Sequence, residues 1–183
     1  MRTLRLLVAS VLALAGCAHT PPTVTPVAQV DLQRFMGDWY VIAHIPSYPE
    51  RDAYNAVESY SLRPDGRVQT HFRYRSGSFD APVRTMDPVG TVQPGTGNAV
   101  WGMQFVWPIQ AEYVIADLSP DYTLTIIARS KRDYAWIMAR TPTISDAAYA
   151  DAVQRLKQMG YRTDGLRRVP QRWPEKDAKA ASP

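Results

Sequence analysis

The sequence predicts an all-β domain of about eight short antiparallel strands followed by one helix. Between Asp31 and Arg140, turn-forming clusters recur roughly every ten residues, and the stretches between them alternate apolar and polar side chains at the period of a strand. The fifteen prolines suit many short strands better than long helices. After Thr143 the spacing of apolar residues changes from two to between three and four, the period of a helix.

The first strand is carried by Phe35-Met36-Gly37-Asp38-Trp39-Tyr40-Val41-Ile42-Ala43. Gly37 permits a sharp bend or a close backbone approach, and Trp39, Val41, Ala43 and Ile45 share one face. Pro46 ends the strand, and Ser47–Asp52 form a loop. Tyr54–Leu62 leads to Arg63-Pro64-Asp65-Gly66, where Pro sets φ and Gly supplies a positive φ. Arg67–Arg75 stops at Ser76-Gly77-Ser78, and Met86–Val92 at Pro94-Gly95-Thr96-Gly97. Val100–Trp107 stops at Pro108, Tyr113–Leu118 at Ser119-Pro120-Asp121, Tyr122–Arg129 at Ser130–Asp133, and Tyr134–Arg140 at Thr141-Pro142. Such short sequential connections predict a meander, closed as a barrel or split as a sandwich. In the last strand Tyr134, Trp136, Met138 and Arg140 fall on one side and Ala135, Ile137 and Ala139 on the other. Both faces call for cover, one from an interior and one from a helix.

That helix has Ser145 as N-cap, Asp146 in the first turn and Gly160 as terminator. Tyr149, Val153, Leu156 and Met159 form its apolar stripe, with Ala148 and Ala152 beside it, which suits packing on the outside of a sheet. Residues 161–171 offer a final edge strand, and residues 174–183 read as a disordered tail after a domain spanning 31–173.

The chain starts with Met-Arg-Thr-Leu-Arg and an apolar run from Leu6 to Leu14, too short for a permanent transmembrane helix, so residues 1–16 read as a signal peptide. Leu14-Ala15-Gly16-Cys17 resembles the bacterial lipobox. The resemblance implies acylation of Cys17, cleavage before it, and stable anchoring by several acyl chains. Ala18 follows where Asp would retain an enterobacterial lipoprotein at the inner membrane, which favours the outer membrane and a periplasm-facing domain. Residues 17–30 then form a lipidated Cys and a Pro/Thr-rich tether of polyproline II character. Cys17 is the single cysteine, so neither an internal disulfide nor a thiolate metal site is available. Without Arg2 and Arg5 the chain carries 19 basic against 17 acidic side chains, too balanced to argue for nucleic acid.

Two segments, Asp31–Tyr40 with its Gly37-x-Trp39 and Asp133–Ser145, resemble those of the bacterial lipocalins, the outer-membrane lipoprotein group close to apolipoprotein D, over about residues 30–171. The resemblance implies an eight-stranded antiparallel up-and-down β-barrel with the helix outside. It also implies that Arg140 lies across the Trp39 indole at the closed end, with donors aimed at carbonyls of the N-terminal turn. Gly37, Trp39 and Arg140 are therefore structural. Asp117–Tyr122 departs from the Thr-Asp-Tyr common in the family at that turn.

With Trp39 pointing inward, the period of two and the family register give an interior of Val41, Ala43, Ala56, Glu58, Tyr60, Val68, Thr70, Phe72, Trp101, Met103, Phe105, Tyr113, Ile115, Thr125, Ile127, Tyr134, Trp136 and Met138. Those nearest Trp39 and Arg140 are expected to fill a dry core. The candidate ligand-binding set is Glu58, Tyr60, Thr70, Phe72, Trp101, Met103, Phe105, Tyr113, Ile115, Tyr134, Trp136 and Met138. Glu58 is costly there unless paired or protonated, so it hydrogen-bonds a ligand group or a pocket Tyr, or else a bulge turns it to solvent. His44 and His71 are expected to face outward. Arg51, Arg75, Arg129, Lys131 and Arg132 on the open-end loops suggest a basic rim for an anionic amphiphile, a fatty acid or lysophospholipid. The sequence holds no nucleophile elbow, phosphate loop or His pair at metal spacing, so no catalysis, metal or cofactor is expected. The alternative is an envelope protein acting through its surface on a protein partner; some relatives dimerise, which keeps a homodimer among the expectations.

Overall fold

The structure, a computed structural model, describes residues 23–175. A four-residue helix, α1 (Leu32–Phe35), leads into β1 (Gly37–Ile45). Strands β2 (Ala53–Leu62), β3 (Val68–Ser76), β4 (Val83–Met86), β5 (Val89–Val92), β6 (Val100–Val106), β7 (Ile109–Leu118), β8 (Leu124–Ala128) and β9 (Ala135–Ala139) follow. Helix α2 (Asp146–Gln158) and the two-residue strand β10 (Arg167–Arg168) complete the α-helices and strands of the described residues. Every pairing is antiparallel, and β9 returns to pair with β1. Strands β4 and β5 both pair with β3 and are two halves of one strand broken at Asp87-Pro88, because Pro cannot donate to the ladder. Counted so, the barrel has eight strands and is closed, with no sandwich split.

Two barrel-strand boundaries differ from the sequence reading by three residues or more. The fourth barrel strand begins at Val83 rather than Met86. Ile109 already belongs to β7 and pairs with Val106, so the strand expected from Tyr113 starts four residues earlier and the break at Pro108 is the tip of a tight hairpin.

Backbone bulges set which side chains face inward. The β1–β9 register shifts between Val41 and Ala43. One extra residue reverses the alternation beyond that point. Val41 therefore packs in the interior, whereas Ala43 packs in the outer cluster under α2. His44, opposite Trp136 on β9, turns inward and is fully buried. The expectations for Ala43 as lining and His44 as outward are both corrected by this bulge. His71, on the regular part of β3, is exposed, with Nδ1 2.6 Å from Asp87.

Helix α2 lies outside the barrel. Ala152 and Leu156 are fully buried against Ile126, Ala128, Ala135, Ile137 and Ala139, the outward residues of β8 and β9. The Ser145 hydroxyl accepts from the Ala148 N–H at 3.1 Å, and Gly160 ends the helix at φ +86°. Replacing Ser145 with Ala leaves that N–H without its acceptor. An expected loss of about 1 kcal/mol would show as a fall of about 3 °C in the calorimetric midpoint of a domain this size.

Both termini are more engaged than expected. From Thr23 on, the Pro/Thr-rich stretch lies along the barrel instead of hanging free. The Val24 N–H donates to Ser130 Oγ at 3.1 Å, Val27 to the Ile115 carbonyl at 2.9 Å, and Val30 to the Gly97 carbonyl at 2.8 Å. The valines at positions 24, 27 and 30 fall on one side of a three-residue turn, and Val24 and Val30 are buried. Gly97, at φ +59°, lets the strap approach, since a Cβ there would collide with the Ala28 carbonyl. At the other end Glu175 accepts from Asn55 Nδ2 at 2.9 Å and Arg73 at 2.6 Å, so Pro174 and Glu175 belong to the folded domain rather than to a tail. The proposed signal peptide, Cys17 and residues 176–183 lie outside the described residues.

Candidate functional site

The closed end is a plug of rings under one guanidinium. Phe35 packs on Trp39, Tyr60 and Trp101 with ring centres 5.0, 5.6 and 5.5 Å away. Arg140 lies 3.8 Å above the Trp39 ring. Its Nη1 donates to the Asp38 carbonyl at 2.8 Å, its Nη2 to the carbonyls of Arg34 and Phe35 at 2.8 and 3.0 Å, and its Nε to that of Tyr122 at 3.3 Å. Gly37, at φ +90°, sits beneath; an added Cβ would lie 3.5 Å from Nη1. The unusual turn before β8 is closed by its own residues. Ser119 and Asp121 bond each other and the Thr123 N–H, and the Tyr122 hydroxyl accepts from the Asp31 N–H at 2.9 Å.

Above the plug the barrel is hollow. A cavity of about 430 Å³ opens at the end carrying the β1–β2, β3–β4, β6–β7 and β8–β9 connections. Of the sequence-chosen residues, Glu58, Thr70, Phe72, Met103, Phe105, Tyr113, Tyr134 and Trp136 line it. Tyr60, Trp101, Ile115 and Met138 do not; they are buried one layer deeper among the plug residues. Phe105 stands at the mouth and is largely exposed.

The cavity floor is polar where the wall is apolar. The Tyr60 hydroxyl donates to Glu58, and the Tyr60 and Tyr113 hydroxyls are 2.7 Å apart. Thr70 Oγ1 is buried without a hydrogen-bond partner among the described residues. Glu58 thus faces inward, against the hydroxyl of Tyr60 just beneath the cavity, and not through a bulge to solvent. Burial, with a smaller push from the Glu50 charge, raises its carboxyl to about 7 against the relief given by Tyr60. Burial likewise pushes both tyrosine hydroxyls well above their ordinary value.

A second cluster holds a turn over the mouth. Ser47, Tyr48, Pro49 and Glu50 line the cavity from the β1–β2 connection. Glu50 reaches inward, where its Oε1 accepts from the Ser47 N–H at 3.3 Å and hydroxyl at 2.6 Å, and its Oε2 from the Trp136 indole at 3.1 Å. His44 Nδ1 stands 3.6 Å from Oε2, within ion-pair range but beyond a hydrogen bond. Burial pushes the Glu50 carboxyl up, yet these neighbours outweigh it and hold the group below its usual range. Strand alternation gives no hint of this turn, although Ser47-x-x-Glu50 has capping-box spacing that could have marked it.

The basic rim contracts to one residue. Arg129 lines the cavity, paired with Asp133 at 3.2 Å and stacked over Tyr134. Arg51 pairs with Asp52, Arg75 is buried against Glu175, and Arg132 binds the Met159 and Ser130 carbonyls at 2.8 Å each. Lys131 is exposed.

A closed barrel plugged at one end and greasy and open at the other is a container for one small hydrophobic molecule. Comparison with known proteins makes the class specific: the chain belongs to the lipocalins, with residues 30–171 matching the lipocalin-like domain. It is similar to the outer membrane lipoprotein Blc of Citrobacter freundii, 33% identical over 75% of this chain and 78% of that one. The Blc lipoprotein of Vibrio cholerae is 26% identical over 91% of this chain and 96% of that one. Bovine apolipoprotein D is 28% identical over 70% and 68%. Among solved structures, insecticyanin of the tobacco hornworm Manduca sexta shares the fold at a TM-score of 0.66 and 15% identity, covering 85% of this chain and 88% of that one.

Proposed function

We propose that the protein carries or stores a small amphiphile, a fatty acid or a lysophospholipid, while anchored by acylated Cys17 to the outer membrane and facing the periplasm. It acts by binding and not by catalysis. The observation that carries this reading is the cavity itself, about 430 Å³ with an apolar wall, one open mouth and a polar floor. That volume accepts one acyl chain, with a polar head left at the mouth beside Arg129. Acylation and outer-membrane placement are supported by the Leu14–Cys17 motif and by the names of the bacterial relatives, each an outer membrane lipoprotein.

Native mass spectrometry after gentle extraction is expected to show a bound lipid; a protein free of lipid but bound to a protein partner would overturn the carrier reading. Ala111 lines the cavity on β7. Replacing it with Trp places an indole in the cavity and is expected to weaken binding of a fluorescent polyene fatty acid at least ~10-fold, about 1.4 kcal/mol. The melting temperature should not fall with it, and an unchanged affinity would place the ligand elsewhere.

A further inference from the structure

We propose that the cavity mouth faces the bilayer, and that the β6–β7 hairpin tip, Phe105–Ile109, inserts into its surface. Two independent observations meet here. The first is the tip itself. Phe105, Val106, Trp107 and Ile109 are all exposed, Trp107 at 82%, with no charged residue between Gln104 and Gln110. Singly exposed apolar residues are ordinary, but four on one projecting turn are not. Tyr48, exposed across the mouth, extends the patch, and both it and Phe105 also line the cavity. The apolar surface therefore runs without a break from the tip into the ligand space. A Trp at the end of such a turn suits the boundary between headgroups and acyl chains, where its ring is apolar and its N–H stays wet.

The second observation says which surface lies opposite. The N-terminal strap runs up the outside of the barrel from the open end to the closed end. Val24 binds Ser130 in the β8–β9 connection at the mouth, and Val30 binds Gly97 beside the plug. The chain therefore enters the fold at the mouth. Cys17 lies six residues before Thr23, so even fully extended chain spans only about 20 Å between them. On the lipid-anchored reading above, with Cys17 acylated, so short a tether holds the mouth near the membrane and leaves the closed end pointing away. The ligand can then pass between bilayer and cavity along a continuous apolar path, without crossing open water.

The test uses the full acylated chain in vesicles of phosphatidylethanolamine and phosphatidylglycerol, with bromine on the lipid acyl chains. Trp39 and Trp101 are fully buried and Trp136 and Trp173 half-buried. Quenching of tryptophan emission is expected to fall by at least half on Trp107→Phe, a change at an exposed site. Equal quenching in the two proteins overturns the proposal. So does a dimer, seen by native mass spectrometry, that dissociates on Trp107→Ser, because a second copy would then cover the tip. The mass of the Cys17 peptide is read separately. Acylated Cys17 without Trp107 quenching overturns the docking alone. Unmodified Cys17 with Trp107 quenching on added vesicles overturns the anchor and upholds the tip.

Discussion

Replacing Arg140 with Ala is expected to lower the unfolding free energy by about 3 kcal/mol and the melting temperature by about 9 °C. The guanidinium donates to four backbone carbonyls from three separate segments, the turn at Arg34–Phe35, Asp38 in β1 and Tyr122 before β8, and it covers Trp39. Removing it leaves those acceptors short of their partner beneath a cap that alanine cannot fill, and a charge-assisted bond is worth about 1.5–3 kcal/mol. The contributions are not additive, since water reaches the half-open rim, and this holds the total near the value of one or two such bonds. Arg140→Lys separates charge from geometry. An ammonium restores the positive charge but has no planar fork to reach four carbonyls, so it should recover less than half of the loss. Urea titration of the three proteins reads the series, and full recovery by Lys would reduce the role of Arg140 to its charge.

The closed end is legible in the sequence through the family resemblance: Gly37-x-Trp39 and the Asp133–Ser145 segment carry it, and the resemblance, not strand periodicity, places Arg140 across Trp39. Helix α2 is equally plain, since its cap, stripe and terminator are local features. The mouth is not. Strand alternation counts residues, and it cannot see the extra one between Val41 and Ala43 that sends His44 inward. Nor does charge at a loop position reveal its partner. Position alone puts Arg75 on the rim, yet it is buried against Glu175, 100 residues further along the chain. The same holds for the N-terminal strap. Pro and Thr give it an extended conformation, but its docking depends on backbone carbonyls of Ile115 and Gly97, distant in sequence.

The other large effect is a dependence of stability on pH set by Glu58. Burial raises its carboxyl from 4.5 to about 7 in the folded protein. Below pH 4.5 the group is neutral whether the chain is folded or not, and it has no effect on the equilibrium. Between pH 4.5 and 7 the folded state holds the proton more tightly, so stability falls as pH rises through that window. The total is about 3 kcal/mol at about 1.4 kcal/mol for each pH unit. Glu50 acts in the opposite sense, because its lowered value contributes stability that is lost only as pH falls below its ordinary range. Glu58→Gln keeps the shape and cannot titrate. It should match the native protein at about pH 4 and exceed it by about 3 kcal/mol at about pH 8, with denaturant melts at each pH as the measurement. Parallel curves for the two proteins would mean that Glu58 is not the titrating group. The same charge bears on cargo. With the polar head at the mouth, the acyl chain must fill the space beside Glu58, and a carboxylate there favours water in that space, so binding should weaken above about pH 7 in the native protein and not in Glu58→Gln.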